Sequence, residues 1–509
     1  MNVNAVGAGG YIRPTWQQAV ADYLPENWRG ARADRWIDRL PMITILTTYV
    51  ALCLRLTNTV FIDEARNINA GEDYLSHWLH NGRPIDHSAY FAGAPTMYPL
   101  IAGILNSAGG HELVRLFSLA CMVVTVVTLQ STVTHVCSSR RAGLLAGCAF
   151  ACTAPVVYIG ALGTFDAVCL LLLASSVWAA VTRQSPISAV AAGSLLALGV
   201  MANYGAAIFV PFLFLLLLVK ENTLEPLCAR AQRTRTGIIA CVTIGSLSAS
   251  YLVAGDNIRK GVAFAINSER TPANEQSAAT LVGWATLNIG LLTALAVIGA
   301  MTVVLSRRSI RSTMASLCLL TAAALLPITD IWFGDAATFD AHNAYSALFL
   351  APLAGSALAS LSHRLFRLVP VGLILLAALA PAVNRSYYLF HTWADVTPVL
   401  DVVDNDPQEG LYLSAAADTL DYYTRTSNPQ IGWDATSKLY AQGPAAIRTA
   451  IEQRKYQMIV VRSVSTASSN QTTLLKILER SPDYESVRLA RPEAADDQWI
   501  IYQLINHAH

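Results

Sequence analysis

Long apolar stretches alternate with short polar segments from residue 43 to residue 382. Most stretches hold about 15 to 20 residues, close to the length that a helix needs to cross the hydrocarbon core of a bilayer. The pattern therefore predicts a mostly α, polytopic membrane domain with about eleven transmembrane helices. The predicted spans lie near residues 43–60, 113–136, 143–158, 167–182, 187–201, 206–219, 238–253, 282–305, 314–328, 344–361 and 365–382.

The apolar segment 94–108 is predicted to be a juxtamembrane helix that does not cross the membrane. It contains Pro95, Pro99 and Asn106 and holds only about fifteen residues, which is short for a span. If this segment does not cross, the arginines of the loops collect on one face, as the positive-inside rule requires for the cytoplasm. These arginines are Arg29, Arg32, Arg35, Arg39, Arg140, Arg141, Arg183, those between residues 220 and 235, Arg307, Arg308, Arg311 and Arg364.

The chain is predicted to divide into three parts. Residues 1–41 are polar and should form a cytoplasmic leader, residues 42–383 the transmembrane catalytic domain, and residues 384–509 a small extracytoplasmic α/β domain. Segments 254–281 and 329–343 should be outer loops. The strands predicted in the last domain are 411–413, 458–461 and 499–502, and the predicted helices are 444–454 and 472–479.

Composition agrees with a membrane protein that carries a soluble part, since 54% of the residues are hydrophobic and 14% are charged. The formal net charge of +1 gives no indication of a nucleic-acid partner. All nine cysteines precede residue 384 and lie in predicted spans or cytoplasmic loops, which argues against a disulfide-stapled exterior. No His/Cys cluster indicates zinc, and carboxylates alone would suit Mg²⁺ or Mn²⁺ without requiring either.

The acidic pair Asp63-Glu64 stands at the outer end of the first predicted span, with Arg66 close behind it. Most span interiors hold no ionisable group, and Arg55 and Arg115 are near enough to the outer interface to reach it by snorkelling. Because ionisable residues are costly within the hydrocarbon region, the charged groups of a membrane domain collect at its boundaries, and an acidic pair beside an arginine there is a candidate chemical site. We therefore expect the chemistry of this protein at the extracytoplasmic face.

Several motifs, in their order along the chain, resemble a known family. They are Ile62–Arg66, Gly93–Leu100, His111–Ser118, Gly163–Ala167 and Asp340–Tyr345. An acidic loop after the first span, a Pro-containing juxtamembrane helix and an Arg-Leu-x-Ser helix start are typical of polytopic glycosyltransferases of the GT-C fold. Over residues 43–383 the chain resembles the members related to protein O-mannosyltransferases and to the aminoarabinose transferase of lipid A.

This resemblance implies an inverting glycosyltransferase at the outer face of the plasma membrane. It would move a hexose or pentose from a polyprenyl-phosphate donor to a cell-envelope acceptor, which could be a glycan, a lipid or a protein. A carboxylate would take the proton of the attacking hydroxyl, and basic groups would stabilise the leaving phosphate. The expected catalytic residues are Asp63, Glu64 and Asp166. The expected donor-binding residues are Arg55, Arg66, Arg259, Lys260, His342 and Tyr345. Membrane lipids are further expected partners.

Two motifs depart from the family pattern. Gly93-Ala94-Pro95 stands where the family has a basic residue and two prolines, so a basic phosphate contact is missing there. The late basic-Tyr dipeptide is stretched so that two residues separate His342 from Tyr345.

Other interpretations stay open at this point. Asp63 could serve only as the N-cap of a helix that starts at Glu64. A polytopic lipid or glycan transporter would also have many spans, although it would favour ionisable residues near the bilayer midplane. A non-catalytic envelope assembly factor is the third interpretation.

Overall fold

A computed structural model of the chain describes residues 31–82, 85–221, 226–268, 276–307, 309–362, 368–405, 407–463, 469–489 and 498–505. Residues 1–30 of the predicted leader lie outside the described residues. In the described part, a large helical region is followed by a small α/β domain, which confirms the predicted fold class.

The apolar stretches of the sequence coincide with helices. The helices of this region are, in chain order, α1 (Ala31–Cys53), α2 (Ile62–His80), α3 (Tyr98–Cys137), α4 (Arg140–Ala151), α5 (Ala154–Ala161), α6 (Phe165–Thr182), α7 (Pro186–Ala202), α8 (Val210–Glu221), α9 (Pro226–Ser268), α10 (Ala278–Arg307), α11 (Ile310–Phe333), α12 (Phe339–Ser362) and α13 (Leu368–Leu389). Among the described residues, six helices are long and apolar enough to cross a membrane, or seven if α4 and α5, bent by 70°, form one span. Other predicted spans coincide with shorter apolar helices such as α7.

The first predicted span, 43–60, is too long, because α1 ends at Cys53. The run Thr57-Asn58-Thr59 follows after three intervening residues, and its side chains compete with the helical hydrogen bonds. The Asn58 amide donates to the carbonyl oxygens of Phe390 (3.1 Å) and Trp393 (3.0 Å). This non-helical segment connects α1 to the start of α2.

α3 contains the predicted juxtamembrane helix and the following span, separated by a break. Gly109 and Gly110 have non-helical dihedrals, and Gly110 has a φ of +70°, which favours glycine. The part before the break packs along α2, where a Cβ on Gly103 would lie 2.6 Å from the carbonyl carbon of Gly71. Two glycines are therefore needed for the backbones of α2 and α3 to approach this closely.

The predicted outer loop 254–281 is wrong for its first half. α9 bends at Ala254, where φ is −130°, but continues as a helix to Ser268. The residues after the bend mix charged with apolar side chains, a composition typical of a helix near the membrane boundary. Residues 269–275 lie outside the described residues.

The carboxyl-terminal domain is built on a five-stranded mixed sheet with the order β2-β1-β3-β5-β4. Its strands are β1 (Gly410–Ser414), β2 (Ile431–Ala435), β3 (Met458–Ser463), β4 (Tyr484–Leu489) and β5 (Gln498–Leu504). Its helices are α14 (Thr397–Asn405), α15 (Ala417–Ser427), α16 (Thr436–Ala441), α17 (Pro444–Glu452) and α18 (Ser469–Leu478). The three predicted strands and two predicted helices are confirmed within a few residues.

α15 packs on α2 and joins the two parts of the molecule. Arg66 of α2 bonds with Asp418 of α15 at 2.8 Å, and Arg425 of α15 bonds with Asp73 of α2 at 2.8 Å. The Asp63 end of α2 and the carboxyl-terminal domain therefore lie on the same side of the helical region.

Candidate active site

A cavity of about 640 Å³ opens where α2, α6, α12 and α13 meet, and we call it the carboxylate cavity. Its wall includes Asp63 from α2, Asp166 from α6 and Asp340 from α12. Aromatic and polar side chains complete it: Phe61, Tyr158, Tyr204, Trp284, Phe333, Tyr388, Asn203, Thr338, His342 and Arg385. A mostly apolar cleft of this size with a few convergent polar groups is the usual form of a small-molecule site.

Asp63 lies in the first turn of α2, and the sequence explains why the helix starts there. Glu64 accepts a hydrogen bond from the backbone N–H of Phe61 at 2.8 Å, which satisfies a donor that the helix leaves unpaired. Both carboxylates are close to the positive end of the helix dipole, where negative charge is favourable. Asp63 itself does not cap the helix: Phe61 is the N-cap residue, so that alternative is wrong.

Side chains of the carboxyl-terminal domain form hydrogen bonds with the backbone of Val60, which precedes the N-cap residue of α2. The backbone N–H of Val60 donates to the hydroxyl of Tyr423 at 3.1 Å, and the Val60 carbonyl accepts from Thr419 at 3.3 Å. Both partners belong to α15. The position of Asp63 therefore depends on α15 as well as on α2.

Asp63 is subject to opposing electrostatic effects. Its side chain is 48% exposed, but it faces the cavity, whose walls replace bulk water around the carboxylate. This desolvation raises the pKa of Asp63 above its ordinary value, and the nearby charges of Asp418 and Glu64 raise it further. Arg66, 3.4 Å away, lowers the pKa of Asp63 and so limits the rise. The Asp63 carboxylate thus binds a proton more readily than an ordinary aspartate, although Arg66 remains its cationic partner.

Glu64 is 1% exposed and is fully occupied by protein donors. It forms a two-contact ion pair with Arg115, at 2.9 and 3.0 Å, and also accepts from the backbone N–H of Gly163 at 2.6 Å. This geometry therefore favours a role of Glu64 in support of Asp63 over contact with a substrate. Its bonds connect α2 to the membrane helix α3 and to the turn before α6.

Asp166 forms a buried cluster with two residues far away in sequence. The hydroxyl of Tyr345 donates to the Asp166 carboxylate at 2.9 Å, and the amide of Asn203 donates to it at 3.2 Å. The structure thus brings together two of the residues predicted from the sequence, one as a carboxylate in the cavity wall and one as its hydrogen-bond donor. No motif in the sequence pointed to Asn203.

His342 also lies in the wall of the cavity, where Asp330 holds it in place. The His342 Nδ1 atom lies 2.8 Å from a carboxylate oxygen of Asp330, which is buried. A carboxylate at one ring nitrogen orients the imidazole.

Arg385 is a cationic residue of the cavity wall that the sequence analysis missed. Its guanidinium donates to Asn288 at 3.1 Å, lies 3.4 Å from Asp340, and stacks over the rings of Trp284 and Tyr388. It falls two residues beyond the predicted domain boundary at 383. The signal available in the sequence was an arginine followed by two tyrosines at the outer end of the last span.

The structure does not bring the other predicted donor contacts to the cavity wall. Arg55 donates to the carbonyl of Val383 at 3.2 Å, outside the cavity. Arg259 is 68% exposed and pairs with Asp256, three residues before it, and Lys260 pairs with Asp86 at 2.6 Å. The extension of α9 explains this outcome, because it carries both residues along an exposed helix surface.

A divalent cation stays a hypothesis without a ligand set. Among the described residues, no group of three or more His, Cys, Asp or Glu side chains is arranged to hold a metal ion. In the carboxylate cavity, Asp166 and Asp340 are instead bonded to Tyr345, Asn203, Asn288 and Arg385.

Residues 94–244 match the family described as dolichyl-phosphate-mannose-protein mannosyltransferase. This match covers less than half of the chain. No curated protein matches the sequence significantly.

Solved structures with a similar fold include ArnT and archaeal oligosaccharyltransferases. ArnT from Cupriavidus metallidurans bound to undecaprenyl phosphate has a TM-score of 0.55 and 14% identity, over 93% of this chain and 99% of that one. AglB from Archaeoglobus fulgidus, in complex with an inhibitory peptide and a dolichol-phosphate, has a TM-score of 0.55 and 13% identity, over 93% of this chain and 75% of that one. A structure of an oligosaccharyltransferase from the same organism, with Zn and sulfate, has a TM-score of 0.52 and 13% identity, over 82% and 68% of the two chains.

The likeness to these structures shows that the chain has the GT-C fold, as its motifs predicted. The family match and the shared fold together indicate a glycosyltransferase of the GT-C type.

Proposed function

We propose that this protein is an inverting glycosyltransferase that moves a sugar from a polyprenyl-phosphate donor to a cell-envelope acceptor at the outer face of the membrane. The observation that carries the proposal is the carboxylate cavity, in which Asp63 of α2 shares a wall with Asp166 and Arg385 at the ends of membrane helices. A lipid-linked sugar presents its phosphate and sugar at this boundary, because the charged phosphate is costly to bury in hydrocarbon. The family match and the undecaprenyl phosphate bound to ArnT support this donor class.

Asp63 is the general base of the proposed reaction. Its carboxylate takes the proton of an acceptor hydroxyl while the hydroxyl oxygen attacks the anomeric carbon of the sugar. The bond from that carbon to the phosphate oxygen breaks, and its electron pair leaves with the lipid phosphate. Attack from the face opposite the leaving group inverts the anomeric configuration. A positioned general base of this kind typically contributes roughly 10²- to 10⁴-fold in rate.

Arg385 and His342 are the proposed contacts of the leaving phosphate. Both line the carboxylate cavity, and a guanidinium can form two parallel hydrogen bonds with phosphate oxygens. Charge develops on the phosphate as the bond breaks, so a fixed cation and a hydrogen-bond donor near it stabilise the transition state. Arg385 thus takes the cationic role for which the sequence suggested Arg55, Arg66, Arg259 and Lys260.

Asp166 has a different proposed role from Asp63. Three side chains, Tyr345, Asn203 and Thr164, lie within 3.3 Å of its carboxylate, so it is a preorganised acceptor that faces the cavity with little room to move. Such a group suits a hydrogen bond from a sugar hydroxyl better than proton transfer.

The outer orientation and the acceptor complete the proposal. The arginine distribution favours an extracytoplasmic position for α2 and for the carboxyl-terminal domain, which share one side of the helical region. Nucleotide sugars are absent from that side, which explains the need for a lipid-linked donor. The acceptor is a glycan, a lipid or a protein of the cell envelope.

Lipid analysis of cells tests this proposal. Cells that lack the protein should accumulate a polyprenyl-phosphate sugar, detected by mass spectrometry of lipid extracts. Wild-type protein and Asp401→Asn, which changes an exposed carboxylate of α14, should both clear it, whereas Asp63→Asn should not. An unchanged lipid profile in cells without the protein would contradict the proposed donor class.

A further inference from the structure

A second cavity, of about 620 Å³, lies at the opposite end of the helical region, and we call it the apolar cavity. It is enclosed by the last turns of α3 and α6, by α8 and by the start of α11, with Thr132, Val136, Cys137, Val181, Leu217 and Arg311 among its lining residues. Along α3, the helix rises ~33 Å between Arg115, which pairs with Glu64 next to the candidate active site, and Cys137, at about 1.5 Å per residue. This distance is close to the thickness of the hydrocarbon core of a bilayer, so the two cavities lie near opposite boundaries of that core.

The walls of the apolar cavity suit hydrocarbon. Most of the lining side chains are Val, Leu, Ala and Phe. The hydroxyls of Thr132, Ser176 and Ser312 line it too, but each donates to a main-chain carbonyl, of Thr128, Ala192 and Ser309 respectively. These hydroxyls are therefore satisfied by the protein. A hydrophilic metabolite would find few hydrogen-bond partners here, whereas an acyl chain needs none.

Arg311 is the exception in this wall. Its side chain is partly buried, and among the residues that the structure describes it forms no hydrogen bond, ion pair or ring contact. A guanidinium at the mouth of an apolar cavity is matched best by a phosphate, which it can bind through two parallel hydrogen bonds.

The amino-terminal end of α11, which carries Arg311, would also be stabilised by a bound anion. Arg311 lies in the first turn of α11, where a positive charge opposes the helix dipole. The first turn contains no acidic residue, and the N-cap Ser309 makes no side-chain capping bond. The first backbone N–H groups of a helix have no partner within it, so those at the start of α11 can bind the same anion that would pair with Arg311.

We propose that the apolar cavity binds an anionic glycerophospholipid of the leaflet opposite the candidate active site. Its phosphate pairs with Arg311 and the first turn of α11, and one acyl chain fills the space between α3, α6 and α8. A glycerophospholipid combines in one molecule the anion and the hydrocarbon that the cavity requires. This inference is independent of the proposed glycosyltransferase activity.

Binding of phosphatidylglycerol to the purified, delipidated full-length protein tests the inference by native mass spectrometry. We expect saturable binding to wild-type protein and a loss of at least about tenfold in affinity for Arg311→Gln, since one charge-assisted contact is removed. Arg141→Gln is the matched control, because Arg141 is an exposed arginine of the same face that does not line the cavity. Its affinity should equal that of the wild type.

A second variant tests the acyl-chain part of the site without a change of charge. Ala315 lines the cavity and is only partly buried, so Ala315→Phe should fill the space and weaken phosphatidylglycerol binding while the protein still unfolds cooperatively. The inference is overturned if Arg311→Gln binds as tightly as wild type, or if phosphatidylcholine binds equally well. It is also overturned if millimolar inorganic phosphate displaces the lipid, which would indicate a site for free anions, or if polyprenyl phosphate displaces it at lower concentration, which would indicate the tail of the donor.

Discussion

Arg66 bonds with two carboxylates that belong to different parts of the molecule, and this single side chain connects the candidate base to the carboxyl-terminal domain. Its guanidinium lies 3.4 Å from Asp63 and 2.8 Å from Asp418. Each of these charges acts on the pKa of Asp63 in a known direction: Arg66 lowers it and Asp418 raises it. The proton affinity of the proposed base is therefore tunable by two residues that need not contact the substrate.

The pH dependence of kcat/KM tests this coupling. The base must be ionised, so activity rises with pH through the pKa of Asp63, and the acid limb of the profile reports that pKa. Arg66→Gln removes the charge that lowers the pKa, and the acid limb should move to higher pH. Asp418→Asn removes a charge that raises the pKa, and the limb should move to lower pH. Movement of both profiles in one direction would contradict the assignment.

Donor affinity tests the role of Arg385. Arg385→Gln should weaken binding of a polyprenyl-phosphate sugar by about ten- to a hundredfold, because a hydrogen bond to a charged group contributes roughly 1.5–3 kcal/mol. Arg385→Lys, which keeps the charge, should recover part of the affinity. The matched control is the double variant Arg259→Gln/Lys260→Gln, whose exposed side chains lie outside the cavity wall. If the control variant loses donor affinity and Arg385→Gln does not, the donor phosphate binds to Arg259 and Lys260 of α9 instead of Arg385.

Residue positions at the carboxylate cavity were predictable from the sequence only where a motif marked them. Asp63, Asp166, His342 and Tyr345 stand in motifs and all lie in the cavity wall or bond directly to it. Arg385 had no motif, because its partners Asn288 and Asp340 come from two other helices.

At the scale of elements, the placement of Asp63 depends on how closely α2 packs on α3. Gly71 and Gly103 face each other at that contact, and a Cβ at Gly71 would overlap the carbonyl oxygen of Pro99. The backbones must therefore move apart if either glycine gains a side chain. A shift of α2 would also move Asp63 relative to α6, which carries Asp166.

Alanine substitution measures this packing. Gly71→Ala should destabilise the protein by about 1–3 kcal/mol through overpacking, with a lower thermal unfolding midpoint in detergent. Gly283→Ala is the control, since a Cβ at this exposed position of α10 would meet no atom within 4 Å. There alanine should be neutral or slightly stabilising, because it favours the helix by up to about 1 kcal/mol over glycine. Equal effects of the two substitutions would contradict a specific contact between α2 and α3.

Element boundaries were less predictable than element types. The edge strands β2 and β4 escaped prediction because neither contains a continuous apolar run: β2 contains a glycine and an aspartate, and β4 contains two charged residues and a serine. α1 ended early because Asn58 bonds with carbonyls 332 and 335 residues away, which no local pattern reveals. The helical extension of α9 lay beyond the apolar run that identified it.

At the scale of the whole molecule, the fold class followed from the alternation of long apolar stretches with polar loops, and the GT-C likeness from the order of the motifs. The contact between α15 and α2 could not be predicted, because its residues are more than 340 positions apart and share no pattern. This contact makes the carboxyl-terminal domain part of the candidate site and fixes both on one side of the membrane domain.

Cysteine labelling tests the proposed orientation. Ser427→Cys, at an exposed position of α15, should react with a membrane-impermeant thiol reagent in intact cells. Gln184→Cys, exposed between α6 and α7 at the opposite end of the helical region, should react only after the membrane is opened. Both are compared with the labelling of the wild-type cysteines. The reverse pattern would place the carboxylate cavity in the cytoplasm and exclude the proposed donor orientation.

The measurement that tests the central claim most directly is sugar transfer by purified Asp63→Asn protein. The substitution keeps size and hydrogen bonding but removes the proton acceptor, so transfer from the polyprenyl-phosphate sugar that accumulates in cells without the protein should fall by at least about 10²-fold, with donor affinity and thermal unfolding unchanged. Asp401→Asn should transfer at the wild-type rate. Asp63→Asn protein that folds, binds the donor and transfers sugar at nearly the wild-type rate would contradict the account and make Asp166 the next candidate for the base.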